Sequence, residues 1–287
     1  MTMGQDRKTE RDPAEIYDEL FVPALFAQWG PRVADAAAVA PGQRVLDVGC
    51  GTGVLACAVA ERVGPTGHVV GLDPNEQMLA VARRKPTGIT PTGITPTGIA
   101  PTGIAPSGIT WRSGRAEALP FKDAGFDAVV SQFALMFFES KPTAIAEMLR
   151  VLRPGGRLAV AVWDSLEHAP GYLALTEVLQ ELFGAHVARA MHAPFALGDR
   201  HELLRFFVGA GAVGAEVQTQ PGTVCFASAD AMINTERACV WTLGGLLDER
   251  QFARLRQRGG DVLRPFVSSD GSVQFDCPAH IVTATRA

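Results

Sequence analysis

Apolar residues recur along this chain in two rhythms. Short runs, RVLDV at 44–48, HVVGLD at 68–73, ITWR at 109–112, FDAVV at 126–130 and LAVAVW at 158–163, are strand-length and rich in β-branched residues. Between them, 54–63, 74–84 and 144–152 carry apolar positions three and four residues apart, the spacing of an amphipathic helix. Strands alternating with helices predict an α/β chain with a doubly wound parallel sheet. Ahead of this block, Ile16, Leu20, Phe21, Leu25 and Phe26 predict helix from Pro13 to about Ala40, broken in two at Gly30-Pro31. Beyond Asp164 the alternation lapses. Helices are predicted over 165–193, 199–211 and within 228–263, a strand near 215–220, and a last strand from about Val273 to Thr285.

Local signals refine these elements. Asn75 stands where an N-cap is wanted, and Pro154-Gly155-Gly156 predicts a turn between a helix and the fifth strand. Residues 86–110 repeat one pentapeptide five times (PTGIT, PTGIT, PTGIA, PTGIA, PSGIT), with proline and glycine placed for type I turns. A unit so short builds no packed layer, so the stretch reads as a surface insertion. Residues 1–12, charged and terminal, are expected to lack fixed structure.

Chemistry enters at RVLDVGCGTG, 44–53, a strand, a glycine turn and a helix start. Gly49, Gly51 and Gly53 let a ligand approach the main chain, and the helix behind the turn offers unpaired N–H groups. A dinucleotide motif would need its third glycine at Val54, and a phosphate-binding P-loop would need a lysine that is absent. A carboxylate at a second strand tip, here Asp73, suits a pair of ribose hydroxyls.

The string D-x-G-C-G-T-G with Asp47 resembles the glycine motif of class I S-adenosylmethionine-dependent methyltransferases. The likeness continues in Asp73 and Met78, in the G-x-A-E-x-L-P-F loop (Gly114, Ala116, Glu117, Leu119, Pro120, Phe121) and in RVLRPGGRL, and it covers about 41–164. It implies a Rossmann-like, mostly parallel sheet of seven strands with a helical cap, and S-adenosylmethionine as cofactor. The cofactor-binding residues it implies, joined to the reading of the strand tips, are Tyr17, Asp47, Gly49, Cys50, Gly51, Gly53, Asp73, Pro74, Met78, Ala116, Glu117, Ser131 and Gln132. Within this set Tyr17 reads as a lid or a packed aromatic, Met78 as an adenine contact or core, and Glu117 as a site residue or a helix-start acid. Arg115 stands where relatives often carry an acid that takes the adenine amino group, and a cation has no acceptor to offer. No residue announces itself as a catalytic base, and the six histidines are scattered.

Composition narrows the acceptor. The 287 residues are 47% hydrophobic and 20% charged with a net charge of −4, which argues against nucleic acid as partner. The five cysteines, Cys50, Cys57, Cys225, Cys239 and Cys277, have neither C-x-x-C nor zinc spacing, and no metal is expected. There is no signal-peptide pattern and no run of about 18 apolar residues, so the chain is expected to be cytoplasmic. The domain plan is a helical lid over 1–40, a cofactor core over 41–164, and cap segments with two closing strands over 165–287. The resemblance is to the branch that includes ubiquinone and menaquinone biosynthesis methyltransferases, which implies a small apolar or aromatic acceptor. Phe21, Phe26, Trp29, Tyr172, Phe183, Phe195 and Trp241 supply an apolar pocket, with Tyr17 and Gln132 as its polar groups nearest the methyl. A non-catalytic cofactor-binding protein, a methyltransferase for nucleic acid or protein, and a nicotinamide oxidoreductase are the competing readings. Oligomeric state is left open.

Overall fold

The computed structural model describes residues 12–85, 108–239 and 242–287. The expectations for the amino-terminal tail, for most of the pentapeptide repeat and for Trp241 lie outside them. Nine strands, β1 (Arg44–Val48), β2 (His68–Asp73), β3 (Ile109–Ser113), β4 (Phe126–Gln132), β5 (Leu152–Trp163), β6 (Val213–Gln220), β7 (Thr223–Phe226), β8 (Val273–Asp276) and β9 (Ala279–Thr285), are described. Seven form one sheet in the order β3-β2-β1-β4-β5-β9-β6. Pairing from β3 through β5 is parallel, and β9 runs antiparallel between β5 and β6. This is the mostly parallel seven-stranded sheet that the sequence predicts, reversing direction in strand order beside β1, where such sheets open a crevice.

Helices α3 (Val54–Val63), α4 (Glu76–Arg84), α5 (Lys141–Val151) and α8 (Arg200–Gly209) accompany the sheet. Their starts are fixed locally: Asn75 accepts from the Gln77 and Met78 amides, Ser140 from Thr143, and Asp199 from His201 and Glu202. The remaining elements are α1 (Pro13–Ile16), a π-type segment (Tyr17–Phe26) and α2 (Trp29–Ala36) at the amino end, then α6 (Pro170–Phe183), α7 (Ala185–His192), α9 (Ala229–Ala238) and α10 (Glu249–Leu263). A two-stranded β7–β8 ribbon completes the chain. Gln28 clips the amino-terminal helices to this ribbon, donating to the Thr223 carbonyl at 2.6 Å and accepting from its amide at 3.2 Å.

Three local expectations are corrected. Between α1 and α2 the chain takes π-type turns, with the Ala27 amide reaching back five residues to the Val22 carbonyl. That longer repeat puts Tyr17, Phe21 and Phe26 on one face, with ring centroids 5.3–6.4 Å apart. The break in this region falls at 27–28 and not at Gly30-Pro31, which sit in the first turn of α2, where a proline forfeits no helical bond. Pro154-Gly155-Gly156 does not separate α5 from the fifth strand: it lies inside β5 as an irregularity, where pairing with β4 stops at Leu152 and resumes at Arg157, with Gly155 at φ +73°.

Candidate active site

The turn that leaves β1 opens one wall of a cavity of about 350 Å³. Gly51 holds φ +53°, a left-handed conformation, and an added Cβ would meet no atom within 4 Å, so the main chain itself faces open space there. Gly53 has another reason to be glycine. It caps α3 at φ +86°, and an added Cβ would lie 2.3 Å from the Trp111 ring. Asp73, at the tip of β2, accepts from the Gly51 amide at 2.9 Å and from the Asn75 amide at 2.8 Å. Burial raises its carboxyl, and those two amides oppose the rise. Each of its oxygens keeps an acceptor position for a ligand.

Of the residues proposed from sequence, the cavity brings together Tyr17, Asp47, Gly49, Cys50, Gly51, Asp73, Pro74, Met78 and Gln132. Gly53, Ala116, Glu117 and Ser131 stand outside its lining. Ser131 is fully buried and donates to the Val48 carbonyl at 2.7 Å, tying β4 to β1. Glu117 is in no helix; one carboxylate oxygen accepts from the Glu139 amide at 2.8 Å and the Ser140 amide at 3.4 Å, at the approach to α5. Ala116 is buried in the main core. Arg115 pairs with Glu139 at 2.6 Å and lies at the surface.

Several polar atoms on the cavity wall have no hydrogen-bond partner among the described residues. On the strand-tip side these are both carboxylate oxygens of Asp47, the Thr52 hydroxyl and Gln132 Oε1. Asp47 is 1% exposed, and burial, helped by the Asp73 charge, pushes its carboxyl up to about 8, the Ala56 amide pulling the other way. The Gln132 amide donates to the Phe26 carbonyl at 3.2 Å, joining the tip of β4 to the π-type segment. Burial raises the Tyr17 phenol, with Cys239, Asp73 and Asp18 adding to it. Met78 packs with Ala14, Val81 and Tyr17 and also lines the cavity.

The opposite wall is aromatic. Phe133 stacks on Trp163 at 3.8 Å and 11°, with Phe26 at 5.6 Å and 6.0 Å from the two rings. Phe133 itself holds φ +53°, a conformation that costs a non-glycine residue about 1–2 kcal/mol. The stack and a 2.9 Å bond from its amide to the Ala161 carbonyl hold it there. Phe21, Tyr172 and Phe195 join this wall, whereas Trp29 stands edge-on against Phe133 and Trp163 without lining the cavity, and Phe183 is outside the lining. Sequence reasoning missed Glu236 and Thr242, which line the cavity from the cap. Neither carries a motif; only Glu236's place one turn after Met232 and Ile233 on an amphipathic helix hints that it faces inward. Among the described residues no lysine, arginine or histidine lines the cavity, while Asp47, Asp73 and Glu236 do.

These features fit S-adenosylmethionine. An unpartnered buried carboxylate and a second acid suit its positive charge, a ribose needs an acceptor such as Asp73, and the bare turn at Gly51 gives close approach to the main chain. The comparisons agree. The family model described as "Methyltransferase domain" matches residues 46–160. A demethylmenaquinone methyltransferase of Staphylococcus carnosus is 33% identical over 222 residues, which cover 72% of this chain and 85% of that protein. A ubiquinone/menaquinone biosynthesis C-methyltransferase of Shewanella pealeana is 34% identical over 156 residues, 54% of this chain and 56% of that one, so the match spans little more than half of it. Among solved structures, phosphoethanolamine N-methyltransferase 2 of Haemonchus contortus in complex with S-adenosyl-L-methionine aligns over 97% of this chain and 58% of its own, with a TM-score of 0.56 at 15% identity. That last likeness is one of fold.

Proposed function

The chain belongs to the class I S-adenosylmethionine-dependent methyltransferase family, and from that premise we propose that it methylates a small, largely apolar aromatic molecule enclosed beneath its cap. The observation that carries this reading is the two-sided cavity: acids and bare main chain on the strand-tip side, aromatic rings on the other, with no cationic side chain among the described residues that line it. Nucleic acid would call for the opposite charge. The quinone-related names of the two relatives support a ring-shaped acceptor.

In this reading Asp73 holds the ribose hydroxyls, Asp47 stands beside the cofactor's positive charge, and Met78 and Pro74 flank the base. Gly49, Gly51 and Cys50 form the floor. Bound S-adenosylmethionine supplies a methyl group already activated by a sulfonium. The protein's task is then to set the acceptor in line with that methyl and exclude water, which alone accounts for much of a transfer rate. The Phe26, Phe133 and Trp163 rings supply a flat apolar wall for an aromatic ring. Tyr17 and Gln132 fix the amino-terminal segment over it. An odd, scattered set of five cysteines without paired spacing supports a cytosolic setting. Incubation with methyl-labelled S-adenosylmethionine and a panel of phenols, quinols, RNA and protein tests the reading. Label entering a small aromatic is expected; label entering only RNA or protein overturns it.

A further inference from the structure

The unpartnered polar atoms of the cavity fall into two sets. Those on the strand-tip side answer to the cofactor. The second set, Tyr172 Oη on α6 and Glu236 Oε2 on α9, comes from the cap and has no such explanation. Glu236 is 1% exposed and Tyr172 is 3% exposed, yet both line the cavity. Neither atom makes a hydrogen bond of normal geometry among the described residues, although Tyr172 and Thr242 stand close enough to favour the ionised carboxylate. The Thr242 hydroxyl donates to the Glu236 backbone carbonyl at 3.2 Å, not to its side chain. A buried acid left in this condition marks the place of a donor that arrives with a ligand.

We propose that Glu236 receives the hydroxyl proton of a phenolic or enolic methyl acceptor, with Tyr172 beside it on the cavity wall. This rests on the reading of the cavity as a methyl-acceptor site. The acceptor's O–H bond breaks and its proton passes to Glu236 Oε2. The bonding pair stays on the acceptor and forms the new bond to the methyl carbon, at that oxygen or at a conjugated ring carbon, while sulfur keeps the pair of the bond it loses. On oxygen, Glu236 then releases the proton to water. On carbon, the ring hydrogen leaves as a proton and Glu236 returns its own to the oxygen. One proton is released per methyl either way.

The surroundings suit a base. Burial pushes the Glu236 carboxyl up to about 7, where a general base works best near neutral pH. On α9 itself, Arg237 is paired with Glu249 and Asp230 with Arg256, all at the surface. Tyr172 faces it from α6, Tyr17 from the π-type segment and Cys239 from the residue after α9. Cys277, whose thiol burial raises, is near Tyr172. Asp47 and Asp73 are the other acids of the cavity, and Asp18, Glu19, Glu15 and Cys225 belong to elements packed on α9.

The test is methyl transfer from S-adenosylmethionine to phenols and quinols from about pH 5.5 to about pH 8.5, with cofactor affinity measured by calorimetry. For the wild-type chain kcat/KM is expected to rise with a midpoint at about pH 7. Glu236→Gln is expected to lose roughly 10²–10⁴-fold and the pH rise with it, at unchanged cofactor affinity. Tyr172→Phe removes a group that favours the ionised acid, so the midpoint of the rise should move to higher pH. A folded Glu236→Gln variant with the wild-type rate and profile overturns the proposal, and so does an unmoved midpoint in Tyr172→Phe. Should the wild type bind cofactor and methylate only amines or thiols, this inference falls and the methyltransferase survives. Transfer to no small molecule at all would sink the acceptor reading itself.

Discussion

Replacing Asp47 by asparagine should make the empty protein sturdier and the site weaker. Both Asp47 oxygens are buried without a partner among the described residues, and the carboxyl is pushed up to about 8. An unfolded aspartate titrates near 3.9, so the folded state holds the proton more tightly. The associated stability is therefore fully present below about pH 4 and is lost as pH rises through about 8. Four pH units at about 1.4 kcal/mol each put the loss on the order of 5 kcal/mol by pH 8. Asparagine has no charge to desolvate but buries an unpaired amide, at about 1–3 kcal/mol. The variant should thus gain roughly 2–4 kcal/mol at pH 8 and lose about 1–3 kcal/mol near pH 4. Thermal melts of cofactor-free protein across this range read the crossover as several degrees in Tm, at about 2–4 °C per kcal/mol. With saturating S-adenosylmethionine the gain at pH 8 should shrink by about 1.4–2.7 kcal/mol, because the lost charge weakens binding by roughly ten- to a hundredfold. A variant destabilised equally at every pH, or one that binds cofactor as tightly as wild type, would refute the reasoning.

Three other substitutions probe the same wall. Asp73→Ala should raise the cofactor Kd by roughly ten- to a hundredfold in calorimetry, the worth of hydrogen bonds to a charged acceptor; unchanged affinity in a folded variant would remove Asp73 from the site. Gly51→Val forces a β-branched residue to φ +53° and fills the cavity floor, so it should cost about 1–2 kcal/mol in denaturant titrations and abolish cofactor binding. Ser131→Ala should lose about 1 kcal/mol of stability with the Val48 bond and leave cofactor affinity alone. A large change in Kd for that variant would return Ser131 to the binding set.

What the sequence reveals and what it hides divide along the reach of the signals. The Asn75 cap, the glycine turn and the five parallel strands depend on neighbours a few residues away, and all were readable. Asp73 and Gly51 are 22 residues apart, yet their bond follows from two strand tips meeting beside the same turn. Glu236 is not readable in the sequence, and Tyr172 is readable only as a large side chain of the pocket, not as a partner of an acid. Each lies on a cap helix without a motif, and only tertiary packing carries both to one wall. The π-type segment hides for another reason: steps of four and five residues between Tyr17, Phe21 and Phe26 resemble a helix of ordinary pitch, and only the bonding distinguishes them. Pro154-Gly155-Gly156 has turn composition, but it falls inside β5 where pairing with β4 lapses between Leu152 and Arg157, and the Arg286 backbone bonds Gly155 and Gly156 from the other side.

The place of β9 bears on how the molecule comes to exist. It lies between β5 and β6 but follows every other strand of the sheet in the sequence. As the chain is synthesised, β3-β2-β1-β4-β5 and the floor of the cavity can assemble first. Meanwhile β5 presents a long, fully apolar edge, LAVAVW, until Ala279–Thr285 arrives. An open edge of this kind recruits other strands, and partly folded chains that bear one aggregate. The nascent protein is therefore most vulnerable while the cap is being made, and a ribosome-bound chain halted before Ala279 should need a chaperone that the finished one does not.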